Sequence, residues 1–120
     1  MKIIKKQTST VQKKKKAVWL AFDLSLNGDY EGLFNWLDEK SAKECGDGFA
    51  FFYYEFQKQD EKQELINSIK RSVKIKSNRD RFYAIWKRSN GKIEGSFLFG
   101  LRKRAPWEGA FGREPEDADG

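Results

Sequence analysis

Two strand-length apolar runs constrain this chain more than any other feature: AVWLAFDL at 17–24 and FAFFYYEF at 49–56. A nearly continuous apolar run bounded by turn formers marks a strand buried in mid-sheet, so both read as central strands. Asp23, Ser25, Asn27 and Gly28 close the first run, and Gly46-Asp47-Gly48 turns the chain into the second. Helical periods follow each run. Tyr30, Leu33, Phe34 and Leu37 share one face of a helix over 30–40, which Asp29 can cap. Leu65, Ile66, Ile69 and Val73 share one face of a second helix over 61–73. Gly32 inside the first helix costs roughly 1 kcal/mol against alanine, which suggests a close approach to the sheet. Residues 42–45 read as a short strand.

The remaining pattern is RFYAIWKRSNGKIEGSFLFG at 81–100. Asn90-Gly91 between two alternating segments predicts a hairpin with a two-residue type I′ turn. That register pairs Lys87 with Glu94, Trp86 with Gly95, Ala84 with Phe97 and Phe82 with Phe99. Phe82, Ala84, Trp86, Phe97 and Phe99 then share the core face, and Tyr83, Ile85, Ser96 and Leu98 the other. The order βα, short β, β, α, ββ is that of an α+β domain: a ferredoxin-like, antiparallel-rich sheet with two helices on one face and a C-terminal β-hairpin. The far face carries too many aromatics to stay bare, so a dimer through the sheet or coverage by residues 106–111 is expected.

At 120 residues the chain is one domain's length. Its net charge of +6 is unevenly distributed. Residues 1–16 hold seven lysines and no acid, and residues 17–69 hold four basic against eleven acidic groups. Residues 70–104 hold twelve basic against two acidic, and 105–120 one basic against five acidic. The first block reads as a disordered lysine-rich arm and 112–120 as a disordered acidic tail, which leaves 17–111 as the ordered domain. The arm can contact nucleic acid non-specifically or be drawn to an anionic membrane surface, but it has no amphipathic face for insertion. No apolar run is long enough to span a bilayer.

Histidine is absent, which excludes Ser-His-Asp and Cys-His catalysis and His-ligated zinc. Cys45 is the single cysteine, so an internal disulfide and a thiolate zinc cage are both excluded, and a reducing, cytoplasmic setting is expected. Cys45 has only Lys43 nearby to activate it and reads as structural.

Three function classes survive. The first is a non-catalytic nucleic-acid-associated protein that uses the basic, aromatic-interleaved second half. Its phosphate contacts are assigned to the arm and to Lys87, Arg88, Arg102, Lys103 and Arg104, with Trp107 or exposed tyrosines stacking on bases. No cofactor is needed. The second is a metal-dependent nuclease. Asp23 ends a central strand, and with Asp29 or Asp47 nearby it could hold Mg²⁺ and a water for phosphodiester cleavage. The third is a protein-interaction or inhibitor module whose basic face meets an acidic protein partner.

The stretch from Val18 to Trp86, with FDLS at 22–25, FAFFYYEF at 49–56 and FYAIW at 82–86, resembles the small ferredoxin-fold nucleases of CRISPR spacer acquisition and their toxin relatives. The resemblance lies in element order and one short motif. It implies a homodimer whose paired Asp23 carboxylates hold a metal near the two-fold axis. The lysine arm and the RKRAPW segment at 102–107 have no counterpart in that pattern.

Overall fold

The two apolar runs lie side by side. The computed structural model describes residues 14–76 and 79–109. It contains strands β1 (Lys14–Asp23), β2 (Lys43–Glu44), β3 (Phe49–Phe56), β4 (Arg81–Lys87) and β5 (Ile93–Phe99). Helix α1 (Tyr30–Glu39) follows β1, and α2 (Glu61–Ser72) follows β3. The sheet order is β2-β3-β1-β4-β5, with each neighbouring pair antiparallel. The α+β architecture with two helices is therefore as expected. No helix among the described residues is long and apolar enough to cross a membrane.

One alternation set of the sheet makes the core. Val18 and Leu20 of β1, Phe52, Tyr54 and Phe56 of β3, and Phe82, Ala84 and Trp86 of β4 are buried with Leu33 and Trp36 of α1 and Leu65 and Ile69 of α2. Both helices thus pack on the same face. β1 has the central position because it pairs on both edges, with β3 and with β4.

The strand begins three residues earlier than the apolar run. Lys14–Lys16, read from sequence as part of the arm, pair with Phe56–Tyr54. A half-buried polar cluster anchors this extension. Lys16 Nζ donates to Glu61 Oε2 at 2.8 Å and to the Lys87 carbonyl at 2.9 Å, while Trp86 Nε1 donates to Glu61 Oε1 at 3.0 Å. The other arm residues, 1–13, and the tail at 112–120 lie outside the described residues.

Helix α1 keeps half of the expected stripe, Leu33 and the half-buried Leu37, and turns Trp36 in beside them. Leu33 and Trp36 are buried, and Tyr30 and Phe34 stay exposed. The stripe centres on Trp36 because its indole has more apolar surface to bury and its Nε1 finds Ser68 Oγ of α2 at 3.0 Å. Gly32 allows a close approach, but to α2 rather than to the sheet: a side chain there would meet the Ser72 carbonyl and the Asp29 carboxylate. Asp29 caps α1 through Gly32 N–H at 2.9 Å and also accepts from Lys74 N–H at 2.8 Å. These two backbone donors, Lys74 first, hold its pKa below the usual 3.8. Asp80, fully buried, accepts from Ser25 N–H and Lys76 N–H, each at 2.7 Å. It ties the exit of β1 to the approach to β4.

The β4–β5 connection corrects the type I′ expectation. Arg88 N–H donates to the Lys92 carbonyl at 2.7 Å and Gly91 N–H to the Arg88 carbonyl at 2.9 Å. The loop is therefore Ser89-Asn90-Gly91, one residue longer than expected. Only Gly91 takes a positive φ, +89°, whereas type I′ needs positive φ at both Asn90 and Gly91. A three-residue loop shifts the register by one, so Trp86 faces Glu94, Ile85 faces Gly95 and Tyr83 faces Phe97. An irregularity between Phe82 and Tyr83 restores the Phe82–Phe99 pair. A one-residue slip exchanges the faces: Phe97 moves out of the expected core face and Leu98 moves in, buried.

Candidate functional site

The face of the sheet away from the helices carries the other alternation set. Trp19 of β1 sits opposite Phe51 of β3 and Ile85 of β4. Ala17 sits opposite Tyr53, and Ala21 opposite Phe49 and Tyr83. The small alanines leave room beside the rings. The Trp19 and Phe51 ring centroids are 5.2 Å apart with planes at 41°. Phe51 and Tyr53 are 5.2 Å apart, and Tyr83 and Phe97 4.8 Å. Trp19 and Tyr53 are exposed to 37% and 56%, which is high for rings in mid-sheet and leaves apolar faces in water.

Cations border this aromatic floor. Lys15 Nζ lies 5.9 Å from the Tyr53 ring centre. Arg81 lies over Phe97 at 6.0 Å, and Arg102 over Phe97 at 5.4 Å and Tyr83 at 5.9 Å. Lys43 is opposite Phe51, and Lys87 opposite Ile93. Two hollows lie at opposite ends of the face. One of about 560 Å³ is lined by Lys15, Trp19, Lys87 and Ile93 among others. The other, about 360 Å³, is lined by Ala21, Phe22, Asp23, Arg81, Tyr83, Phe97 and Arg102. A larger hollow of about 640 Å³ lies near the α1–α2 side, where Lys40, Lys58 and Arg71 alternate with Glu39, Glu55 and Glu64. Its opposed charges give no preference for an anion.

The six residues assigned from sequence to nucleic-acid contact fall into separate places. Lys87 and Arg102 join the aromatic face. Arg88 is stacked at 3.7 Å on Trp86, a core residue, with its Nε 3.8 Å from Glu94, and its edge also lines the 560 Å³ hollow. Lys103 and Arg104 are exposed beyond β5, and Arg104 Nη2 donates to the Glu108 carbonyl at 3.4 Å. Trp107 is 68% exposed in the turn over 106–109. Of the segment expected to cover the face, Phe111 lies outside the described residues.

Asp23 stands at the end of β1 opposite Arg81, whose Nη2 lies 3.4 Å from its Oδ2. Both Asp29 oxygens accept backbone N–H groups, Oδ1 from Gly32 and Oδ2 from Lys74. Among the described residues no group of three or more His, Cys, Asp or Glu side chains is placed to hold a metal. Cys45 is exposed, with its Sγ 3.7 Å from the Lys43 carbonyl.

The sequence assignment names neither Trp19 nor Lys43 as a contact; Lys15 falls there in the arm, Arg81 in the basic count of 70–104, and Phe51, Tyr53 and Tyr83 among the far-face aromatics. The available signal was parity: within AVWLAFDL, Val18 and Leu20 alternate with Trp19 and Ala21. Reading the run as uniformly buried hid that alternation. No protein-family model, curated protein or solved structure matches this chain.

Proposed function

We propose that the protein binds single-stranded nucleic acid across the uncovered face of its sheet, with unpaired bases stacking on Trp19, Phe51, Tyr53 and Tyr83. The observation that carries this reading is the co-location of two exposed rings, Trp19 and Tyr53, and two half-buried ones, Phe51 and Tyr83, with Lys15, Lys43, Arg81, Lys87 and Arg102 on one face. Base stacking on aromatic side chains contributes about 1–3 kcal/mol per base, and bordering cations track the phosphates. RNA-binding sheets use this device, stacking two or three bases on strand aromatics. The run Gly48-Phe49-Ala50-Phe51, completed by Tyr54, is similar to the spacing such sheets use, with Asp47 where they carry Lys or Arg.

The order β2-β3-β1-β4 supports a ferredoxin-like arrangement extended by β5. In it the unit β1-α1-β2 encloses β3, and the unit β3-α2-β4 encloses β1.

A second copy of the chain is the competing occupant of this face. Two like faces bordered by the same cations repel, which favours a polyanion. The nuclease reading is weaker because the Asp23 carboxylate is engaged by Arg81 rather than by a second carboxylate. It predicts Mg²⁺-dependent cleavage that is lost in Asp23→Asn.

Fluorescence anisotropy with labelled single-stranded RNA and DNA at two salt concentrations tests the main reading. Affinity should fall as salt rises, and Trp19→Ala should weaken it about tenfold or more. Absence of binding at low salt, or a sheet-to-sheet dimer in sedimentation that persists with nucleic acid in excess, refutes it.

A further inference from the structure

The Asp23 end of the open face has features that a stacking platform alone does not need. Tyr83 lies across Gly95 of β5, where any side chain would collide with its ring and hydroxyl. Glycine at 95 thus lets the ring lie along the sheet instead of standing off it. Phe97 flanks that ring at 4.8 Å with planes at 69°, and the Arg102 guanidinium lies 5.9 Å above it. At the rim is Asp23, 64% exposed, held by Arg81 at 3.4 Å through one oxygen. Exposed Glu55 shares the open face opposite Lys15, but in this hollow Asp23 is the carboxylate among rings and arginines, a charge of the wrong sign for a phosphate and the right one for a base edge.

We propose that this hollow of about 360 Å³ is a base-reading subsite selective for guanine. The inference rests on the sheet-face reading above. Guanine presents two adjacent donors, N1–H and the N2 amino group, on its Watson–Crick edge. Adenine and cytosine present an amino donor beside a ring acceptor, and uracil a donor between two carbonyls. A carboxylate only accepts, through about four lone-pair sites on two oxygens. It therefore matches guanine in a bidentate, charge-assisted pair and opposes an acceptor of each other base. Arg81 takes one of those lone-pair sites, fixes the carboxylate beside the Tyr83 ring and offsets its charge against the phosphates. Arg102 can close over a base resting on Tyr83, adding a cation–π contact.

The test uses labelled oligouridine of about eight nucleotides with one central position changed to guanine, adenine or inosine, in ribo and deoxyribo forms. The full-length protein should bind the guanine oligomer about tenfold more tightly than the adenine one. Inosine, which lacks the N2 amino group, should lose most of that gain. Asp23→Asn should bring the guanine-to-adenine ratio close to one, because its amide turns a donor toward the base. Gly95→Val, which displaces the Tyr83 ring, should lower the same ratio. Equal affinity for guanine and adenine oligomers that both bind overturns the subsite and leaves the sheet-face reading standing, as does an unchanged ratio in Asp23→Asn. Failure to bind any oligomer overturns both. The ribo and deoxyribo arms tell which strand chemistry the face accepts.

Discussion

The two faces of this sheet are built from the same three strands by the same residue types, and they do opposite things. On the covered face Phe52, Phe56, Phe82 and Trp86 are excluded from water by α1 and α2. On the other, Trp19, Phe51 and Tyr53 meet no helix. Adjacent lysines show the contrast most sharply. Lys16 turns to the covered side, where its ammonium is paired at 2.8 Å with the buried Glu61. Lys15, one residue earlier, turns to the open side and lies over Tyr53. An aromatic or basic residue thus has no fixed meaning here; its parity along the strand decides whether it holds the fold or faces a ligand.

The largest expected effect comes from cutting matching rings on the two faces. Trp86→Ala should destabilise the domain by about 3–5 kcal/mol, because it empties a fully buried site and leaves Glu61 without its indole donor. Trp19→Ala removes a partly exposed ring and should cost about 1 kcal/mol or less. Urea denaturation of both variants measures the gap; equal losses would erase the distinction between the faces.

The lysine pair gives the next largest effect. Lys16→Ala leaves the buried Glu61 carboxylate one donor short, which should cost about 1–3 kcal/mol. Lys15→Ala should leave stability nearly unchanged, within about 0.5 kcal/mol. Its effect should appear instead in nucleic-acid binding, where the slope of log affinity against log salt falls by about one. A Lys15→Ala protein that loses stability but keeps its salt slope would place Lys15 with the fold.

How legible these faces were in the sequence depends on where parity is encoded. The 49–56 strand was readable residue for residue, because turn glycines bound it on one side and Gln57 on the other. The α+β order was readable from the alternation of runs and helical periods. The loop at Ser89-Asn90-Gly91 was not. Asn-Gly is compatible with a two-residue turn and with a longer loop in which only the glycine has positive φ, and local sequence does not choose between them. Since one residue of loop length exchanges the faces, Phe97 and Leu98 were misplaced together. Trp19 was hidden for a related reason: a run apolar at nearly every position shows no alternation until its partners are known. Arg88 and Arg102 look alike in a charge count, yet one stacks on a core tryptophan and the other reaches back over Tyr83. Such long side chains are placed by tertiary neighbours, not by their own segment.

The smallest effect concerns Asp29, which supports the covered side from outside the sheet by joining the start of α1 to the segment after α2. Its carboxylate accepts from Gly32 N–H and Lys74 N–H, and its folded-state pKa lies below the usual 3.8. A carboxyl whose pKa is depressed by folding contributes stability that is fully present above its unfolded value. That contribution fades as pH drops through the lower folded value. Asp29→Asn keeps an acceptor for Gly32 but presents a donor amide where Lys74 N–H needs a second acceptor. The melting-temperature advantage of the unsubstituted protein over this variant should therefore be constant from about pH 7 to about pH 5 and shrink toward about pH 2. An advantage that does not change with acid would mean that capping geometry, which asparagine largely reproduces, matters at Asp29 and its charge does not.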